Sequence, residues 1–297
     1  MIDTLVLFMK MAKKQQETYY PIFWTIMKSM CIHLNTKADL DTVWQELESL
    51  GVAILYSDED ENGQKIIYAN LQDEAILNDQ ADIDHFTPFV LPAIDWEQQF
   101  KDHGMNFYEG YVHVDLKEFG CQNPKFNPIK IKPGPGFGDL SHPTTRLVLK
   151  LMNGKVFEKD VLDIGCGSGI LSLAAISMGA ASCFGVDIDD EAITHSILNS
   201  DLNGLSGNIH FGKSVDYKPN NPHKSLLVLM NMVQSEQVEA YLSLKQMHQI
   251  QGDCLISGIL KKDVSHYMSF AKANNWTLNS MIEEDGWLGL HFTRHPQ

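Results

Sequence analysis

Residues 161–169 read VLDIGCGSG, and residues 170–178 continue as ILSLAAISM. The first four residues are largely apolar, and they are followed by Gly165, Gly167 and Gly169 at alternating positions before the apolar stretch begins. Glycine is needed where the backbone turns sharply and where a ligand must lie against it without intervening Cβ atoms. The stretch therefore predicts a strand, a ligand-binding turn, and a helix whose first amides face that turn.

After Pro135 the sequence alternates between strand and helix patterns, which is typical of a mainly parallel sheet covered on both faces. A tight turn at Glu283–Gly286 joins the last two strands, so the final strand must run antiparallel to its neighbour. We expect an α/β fold with a seven-stranded, doubly wound, mainly parallel sheet. Its predicted strands are Asp160–Ile164, Ser182–Asp187, Asn208–Phe211, Ser225–Leu229, Asp253–Ile259, Thr277–Ile282 and Trp287–Phe292.

The first part of the chain has a different rhythm. A short strand (Cys31–Leu34) precedes a helix (Ala38–Leu50), and two further strands, Ala53–Tyr56 and Lys65–Ala69, flank the acidic turn Asp58–Gly63. This order of strand, helix and hairpin predicts a smaller N-terminal α+β domain.

Residues 95–135 are rich in aromatic, glycine and proline residues, a composition that favours a bridge between domains. We therefore expect an N-terminal domain over residues 1–94, a linker over 95–135 and the large α/β domain over 136–297. Every motif suited to a cofactor lies after Pro135, so the N-terminal domain is assigned the recognition of the substrate.

Charge and cysteine content narrow the classes of partner. The net charge is −15, from 38 acidic against 23 basic residues, which would repel a nucleic-acid backbone and attract a basic macromolecule. An acidic surface also serves solubility alone, so charge does not decide between these uses.

The five cysteines form no CxxC pair and the histidines no HExxH motif, so neither disulfides nor a metal site is expected.

The location expected for the chain is the cytoplasm. The apolar stretch in Met1–Lys10 is too short to span a bilayer, and it has neither a basic leader nor a small-residue cleavage site. No membrane partner is expected.

A carboxylate at the predicted end of the second strand points to an adenosine-containing cofactor. Asp187 follows Gly165 by twenty-two residues, where its carboxylate can accept hydrogen bonds from both ribose hydroxyls. The spacing GxGxG differs from the dinucleotide fingerprint GxGxxG, whose third glycine lets the helix approach a pyrophosphate. Ribose recognition is common to both classes of cofactor, so Asp187 alone does not choose between them.

Several motifs resemble the ribosomal protein L11 methyltransferase family of class I S-adenosylmethionine-dependent methyltransferases. Residues 161–189 resemble motif I and its continuation, and the sequence FGDLSHPTT at 137–145 is similar to the family's FGTGTHPTT loop. Asn231-Met232-Val233 is similar to the family's Asn-Ile-Leu motif. Residues 257–260 read SGIL, which matches a strand of the same sequence in the family. Upstream, Asp95-Trp96 followed by Phe100-Lys101 resembles the family's tryptophan-containing linker, so the resemblance covers about two thirds of the chain, from Asp95 to Arg294.

This resemblance implies S-adenosyl-L-methionine as cofactor and a lysine or α-amino group of a basic ribosomal protein, L11, as methyl acceptor. It implies that the cofactor is bound by Thr145, Gly165, Gly167, Asp187 and Asn231, with Thr145 donating from a loop. No catalytic residue is identified, and Asn231 is the nearest candidate on the acceptor side.

Departures from the family pattern leave the identity of the methyl acceptor open. Asp139-Leu140-Ser141 replaces Thr-Gly-Thr, and Gln234-Ser235-Glu236-Gln237 replaces small or apolar residues after the asparagine motif. The alternatives are a class I methyltransferase acting on another protein or a small molecule, and a non-catalytic adenosine-binding module. Three further residues have alternative roles. His142 in the loop motif can simply cap the turn, Asp216 can contact the adenine or be an ordinary loop carboxylate, and Glu236 can orient the acceptor or be a solvated residue at a helix start.

Overall fold

The computed structural model describes residues 28–60, 62–89, 95–220 and 224–296. The N-terminal stretch Met1–Lys10, from which we expected a cytoplasmic location, lies outside these residues. The chain divides into two compact units, Met1–Ile94 and Asp95–Gln297. Within the described ranges, no helix is both long and apolar enough to cross a membrane.

The first unit contains a four-stranded antiparallel sheet in the order β2-β3-β1-β4. Helix α1 (Leu40–Ser49) starts where the Asp39 carboxylate accepts the Thr42 amide, and it buries Val43 and Leu47 in the core beneath the sheet. The α+β arrangement agrees with the sequence pattern, although the fourth strand was not predicted. The strands are β1 (Lys28–Leu34), β2 (Ala53–Glu59), β3 (Lys65–Leu71) and β4 (Ile83–Pro88).

The second unit is built around a seven-stranded sheet in the order β10-β9-β8-β11-β12-β14-β13. All neighbouring strands are parallel except β14, which runs antiparallel to both β12 and β13. The predicted α/β fold with an antiparallel last strand is confirmed. Its strands are β8 (Asp160–Ile164), β9 (Ser182–Val186), β10 (Ile209–Gly212), β11 (Leu226–Asn231), β12 (Gly252–Leu260), β13 (Trp276–Glu284) and β14 (Trp287–Arg294).

Helices cover both faces of this sheet and create two apolar cores. One core includes side chains of the helices Pro143–Met152 and Ile170–Ser177, and the other includes side chains of the helices Gln234–Ser243 and Val264–Ala273. Because every residue of β11 is buried, the sheet centre is apolar on both faces, as a doubly wound sheet requires. The helices of this unit are α2 (Trp96–His103), α3 (Pro143–Met152), α4 (Ile170–Ser177), α5 (Asp190–Leu202), α6 (Gln234–Ser243) and α7 (Val264–Ala273).

The segment 95–135 does not form the linker that we expected. It contains α2 and a three-stranded antiparallel sheet of β5 (Phe107–Tyr108), β6 (Tyr111–Val114) and β7 (Ile129–Ile131). The apolar side chains of β6 and β7 are fully buried in the same core as α3 and α4. Burial of this apolar surface makes the segment part of the second unit.

Candidate functional site

The glycine turn after β8 leaves no room for side chains. Gly165 and Gly167 have φ angles of +71° and +56°, a region that favours glycine. A Cβ atom on Gly165 would lie 1.9 Å from the Met232 Cε atom, and one on Gly167 would lie 2.2 Å from the Phe137 carbonyl oxygen. The turn is therefore packed closely against Met232 and the Phe137 backbone, and α4 begins directly after it.

Asp187 follows β9 and fastens the glycine turn to that strand. Its Oδ2 atom accepts a hydrogen bond from the Gly167 amide at 3.0 Å, and its Oδ1 atom accepts one from the Asp189 amide at 3.1 Å. A carboxylate has about four lone-pair positions, so further hydrogen bonds from a ligand remain feasible. The buried Asp187 thus has a structural role that the sequence did not indicate.

Thr145 and Asn231 meet at the carboxyl edge of the sheet. Thr145 is fully buried in the first turn of α3 rather than in the expected loop, and its Oγ1 atom accepts a hydrogen bond from Asn231 Nδ2 at 3.2 Å. The Asn231 Oδ1 atom is buried and has no hydrogen-bond partner in the described structure. A buried acceptor without a donor is unfavourable in an isolated protein, so it marks a position suited to a ligand N–H group.

The segment that precedes α3 crosses directly over the glycine turn. We call residues 130–138 the crossing segment. Its Phe137 carbonyl accepts a hydrogen bond from the Ser168 amide at 2.7 Å, and the Gly138 carbonyl accepts one from Ser168 Oγ at 2.5 Å. A Cβ atom on Gly136 would lie 2.5 Å from the Gly167 carbonyl oxygen. The two backbones are therefore in direct contact.

One face of α5 holds the crossing segment through three polar side chains that sequence reasoning missed. Asn203 bonds both backbone groups of Lys130, and Asn199 accepts the Lys132 amide at 2.9 Å. His195 contacts the Lys132 carbonyl and the Gly136 amide. Their spacing of four residues puts them on one helix face, a signal that the sequence does carry.

Gln237 organises the other side of the site. This fully buried side chain donates from Nε2 to the carbonyl oxygens of Met232 at 2.6 Å and Ser257 at 2.8 Å. Its Oε1 atom accepts a hydrogen bond from the Tyr267 hydroxyl at 2.7 Å. The turn after Asn231 is thus fixed by one of the residues that depart from the family pattern.

The more ordinary roles fit the three residues for which alternatives were open. His142 caps α3, because its Nδ1 atom lies 2.7 Å from Thr144 Oγ1 and 3.4 Å from the Thr144 amide nitrogen. Burial lowers the pKa of this imidazole. Asp216 accepts the Lys213 amide at 3.0 Å within a loop. Glu236 lies in the first turn of α6, where the helix dipole favours an acid.

Asp163 carries an unusual carboxyl group beneath the glycine turn. Burial raises the pKa of this carboxyl to about 7. A hydrogen bond from Ser172 lowers the pKa, and the negative charge of Asp187 raises it further. Ser172 Oγ donates to its Oδ2 atom at 2.7 Å, whereas Oδ1 has no partner in the described structure. Sequence reasoning assigned no role to this residue.

All five cysteines lie in the described ranges, and none forms a disulfide. Among the described His, Cys, Asp and Glu side chains, no group of three is arranged to hold a metal ion.

Residues 28–295 match the family described as "Ribosomal protein L11 methyltransferase (PrmA)". The chain is similar to the ribosomal protein L11 methyltransferase of Mannheimia succiniciproducens, with 31% identity over 219 residues that cover 71% of this chain and 73% of the relative. It is 33% identical to that of Haemophilus influenzae strain PittEE over 219 residues, which cover 71% of this chain and 72% of the relative. A crystal structure of ribosomal protein L11 methylase from Lactobacillus delbrueckii subsp. bulgaricus has 28% identity and a TM-score of 0.49, covering 56% of this chain and 85% of that chain.

The family match extends further than the motifs did. It begins at residue 28, so it includes residues 28–94 of the first unit as well as the second unit. The motif resemblance, in contrast, began only at Asp95.

Proposed function

This chain belongs to the ribosomal protein L11 methyltransferase family, and on that premise we propose that it transfers methyl groups from S-adenosylmethionine to lysine or α-amino groups of ribosomal protein L11. The family is one of S-adenosylmethionine-dependent protein methyltransferases. The observation that carries the proposal for this chain is the buried, unpartnered Asn231 Oδ1 atom beside Thr145 at the carboxyl edge of the sheet. Ligands of open α/β sheets bind at this edge.

The residues at this edge fit the chemistry of the cofactor. Asp187 retains lone pairs for ribose hydroxyls, and Gly165 and Gly167 give the turn the positive φ angles that glycine favours. The Thr145 hydroxyl accepts from Asn231 and keeps its own hydrogen for donation. We propose that these five residues (Thr145, Gly165, Gly167, Asp187 and Asn231) form the cofactor site.

When bound, S-adenosylmethionine supplies a methyl group on a positively charged sulfur. The protein's main task is then to hold an acceptor nitrogen in line with that group. We assign this task to Asn231, whose Oδ1 atom accepts an N–H of the incoming amine, and to Gln237, which fixes the following turn. The amine must lose its proton before it reacts, and burial of the site favours its neutral form.

Recognition of a basic acceptor is proposed for the first unit. Residues 28–94 contain thirteen Asp and Glu residues against three Lys, a net charge of −10, whereas the whole chain has −15. Concentrated acidic charge accelerates encounter with a basic protein and makes the rate depend on salt. A cytoplasmic location, where ribosomal proteins are made, fits this proposal.

The test uses tritium-labelled S-adenosylmethionine with purified L11 and, in parallel, with lysate from cells that lack the enzyme. We expect label in L11, and much less label at a limiting cofactor concentration when Asp187→Ala replaces the wild-type protein. Binding of adenosylhomocysteine with label in another protein would favour a different acceptor, for which the altered segment Gln234–Gln237 gives a structural reason. Binding of adenosylhomocysteine without label in any protein would favour the non-catalytic adenosine-binding module.

The recognition role has its own test. A fragment that starts at Asp95, the first residue of the second unit, should still bind adenosylhomocysteine but methylate L11 far more slowly than the full chain. A fragment that starts near Tyr111, inside the expected linker, would lack α2 and β5 of the second unit. Equal rates for the fragment and the full chain would refute the recognition role.

A further inference from the structure

The imidazole of His195 is bonded through both ring nitrogens to the crossing segment. The Gly136 amide donates to Nδ1 at 3.1 Å, and Nε2 lies 2.8 Å from the Lys132 carbonyl oxygen. An amide can only donate and a carbonyl can only accept, so Nδ1 must be bare and Nε2 must carry the hydrogen. The geometry thus assigns His195 a neutral imidazole in one tautomer.

We propose that His195 is a positioning residue for cofactor binding, because its neutral imidazole holds the crossing segment against the glycine turn. This inference rests on the proposed function, since it concerns the same cofactor site. The hydrogen bonds of the His195 ring do not go to the glycine turn itself. His195 therefore acts on that turn through the backbone of Gly136. No role in this site was assigned to it from the sequence.

The crossing segment fits closely around the ring. A Cβ atom on Gly134 would lie 2.5 Å from His195 Nε2, so the backbone passes the imidazole without space for any side chain. His195 is itself only 4% exposed, which excludes water from competing for its two hydrogen bonds. The segment is therefore held at one distance from α5.

Contact with the glycine turn transmits this position to the cofactor site. The Cβ position of Gly136 lies 2.5 Å from the Gly167 carbonyl oxygen. The amide of the same Gly167 donates to Asp187, and the next amide, that of Ser168, donates to Phe137. A shift of the crossing segment would thus disturb the turn and the carboxylate together.

His195 has a role that its neighbours on α5 do not duplicate. Asn203 bonds only the backbone of Lys130 in the crossing segment, and Asn199 bonds the Lys132 amide and the Ser168 carbonyl. Only the imidazole reaches Gly136, the residue in contact with the turn. The two asparagines hold the start of the crossing segment, and His195 holds its middle.

The binding test compares adenosylhomocysteine affinities of full-length variants by calorimetry. His195→Leu, which removes both hydrogen bonds, should weaken binding about tenfold to a hundredfold. His195→Asn, which keeps an acceptor near the Nδ1 position, should stay within about threefold of wild type. The matched control is His113→Leu, because His113 is also buried and bonds a backbone carbonyl, that of Tyr108, in the three-stranded sheet. The control should bind like wild type.

Equal affinity of His195→Leu and wild type would overturn the proposal, as would an equal loss in His113→Leu. Failure of the wild-type protein to bind adenosylhomocysteine would instead overturn the proposed function. Measurements on the ligand-free wild-type protein keep the inference testable if His195→Leu does not fold. Nitrogen-15 spectra of labelled histidine should show His195 with Nδ1 bare and Nε2 protonated, and the Gly136 amide should exchange slowly with solvent. A protonated Nδ1 or a rapidly exchanging Gly136 amide would contradict the assignment.

Discussion

Replacing Asp163 with asparagine is expected to stabilise the protein, and more so as the pH rises. Burial raises the pKa of this carboxyl from 3.8 to about 7. Between these values the folded protein holds a proton that the unfolded chain has released, so the stability of the wild-type protein falls as the pH increases. Asparagine keeps a similar shape, has no charge to bury, and still accepts the hydrogen bond from Ser172.

The size of the effect follows from the shift. A difference of about three pKa units corresponds to about 4 kcal/mol of unfolding free energy, the upper limit of what Asp163 costs above pH 7. The advantage of the variant should grow by about 1.4 kcal/mol per pH unit between pH 5 and pH 7 and then level off. Below pH 4 the aspartic acid is neutral in both states, so the advantage should vanish.

Urea unfolding followed by circular dichroism at pH 5, 6, 7 and 8 measures this difference. Asp160→Asn is the matched control, because Asp160 begins the same strand but is partly exposed. Its Oδ1 atom accepts a hydrogen bond from the Ser182 hydroxyl, and its Oδ2 atom lies 3.6 Å from Lys224 Nζ. Its stability relative to wild type should not show the same rise with pH. A constant difference between Asp163→Asn and wild type from pH 5 to pH 8 would refute the reasoning.

Three other changes test the site. Asp187→Ala should weaken adenosylhomocysteine binding about tenfold to a hundredfold in calorimetry, and it should also lower the melting temperature because two amides lose their acceptor. Gly165→Val should abolish binding in the same assay, since its φ of +71° and the contact with Met232 both exclude a side chain. Tyr267→Phe should lower kcat about three- to tenfold at unchanged cofactor affinity by loosening Gln237. The control, Tyr241→Phe, releases only Trp276 and should keep its kcat.

Strands buried on both faces were the most predictable part of the fold. The predicted bounds of β8 equal the observed ones, because a buried, largely apolar run before a glycine turn gives a strong local signal. The three-stranded sheet was missed for the opposite reason. Its strands have two to four residues, too few for an alternating pattern to be recognised among the surrounding prolines and glycines.

The residues of the candidate site also differ in whether local sequence predicts them. Gly165, Gly167 and Asp187 were named from the sequence because each stands at the end of a strand, where local pattern and ligand position coincide. His195 was not named from the sequence, because the Gly136 amide, from which it accepts a hydrogen bond, lies fifty-nine residues earlier in the chain. Gln237 similarly acts on Ser257, twenty residues later in the chain. Hydrogen bonds to distant backbone depend on the tertiary fold, and one sequence gives no measure of them.

The pattern of these hydrogen bonds separates the cofactor side of the site from the acceptor side. The glycine turn is held by Asp187 and by the crossing segment, whereas the turn after Asn231 is held by Gln237 through bonds to residues outside the glycine turn. In the described structure, the two sides meet through the Asn231–Thr145 hydrogen bond, the packing of Met232 on Gly165 and the pairing of β8 with β11.

Substitutions on one side are therefore expected to act mainly on one kinetic quantity. Changes around His195 or Asp187 should alter cofactor affinity, and changes around Gln237 should alter turnover. This separation also explains how the segment Gln234–Gln237 can depart from the family pattern while the glycine turn retains it. Gln237 can differ from the family pattern without disturbing the glycine turn, because its side-chain hydrogen bonds go to Met232, Ser257 and Tyr267 and not to that turn.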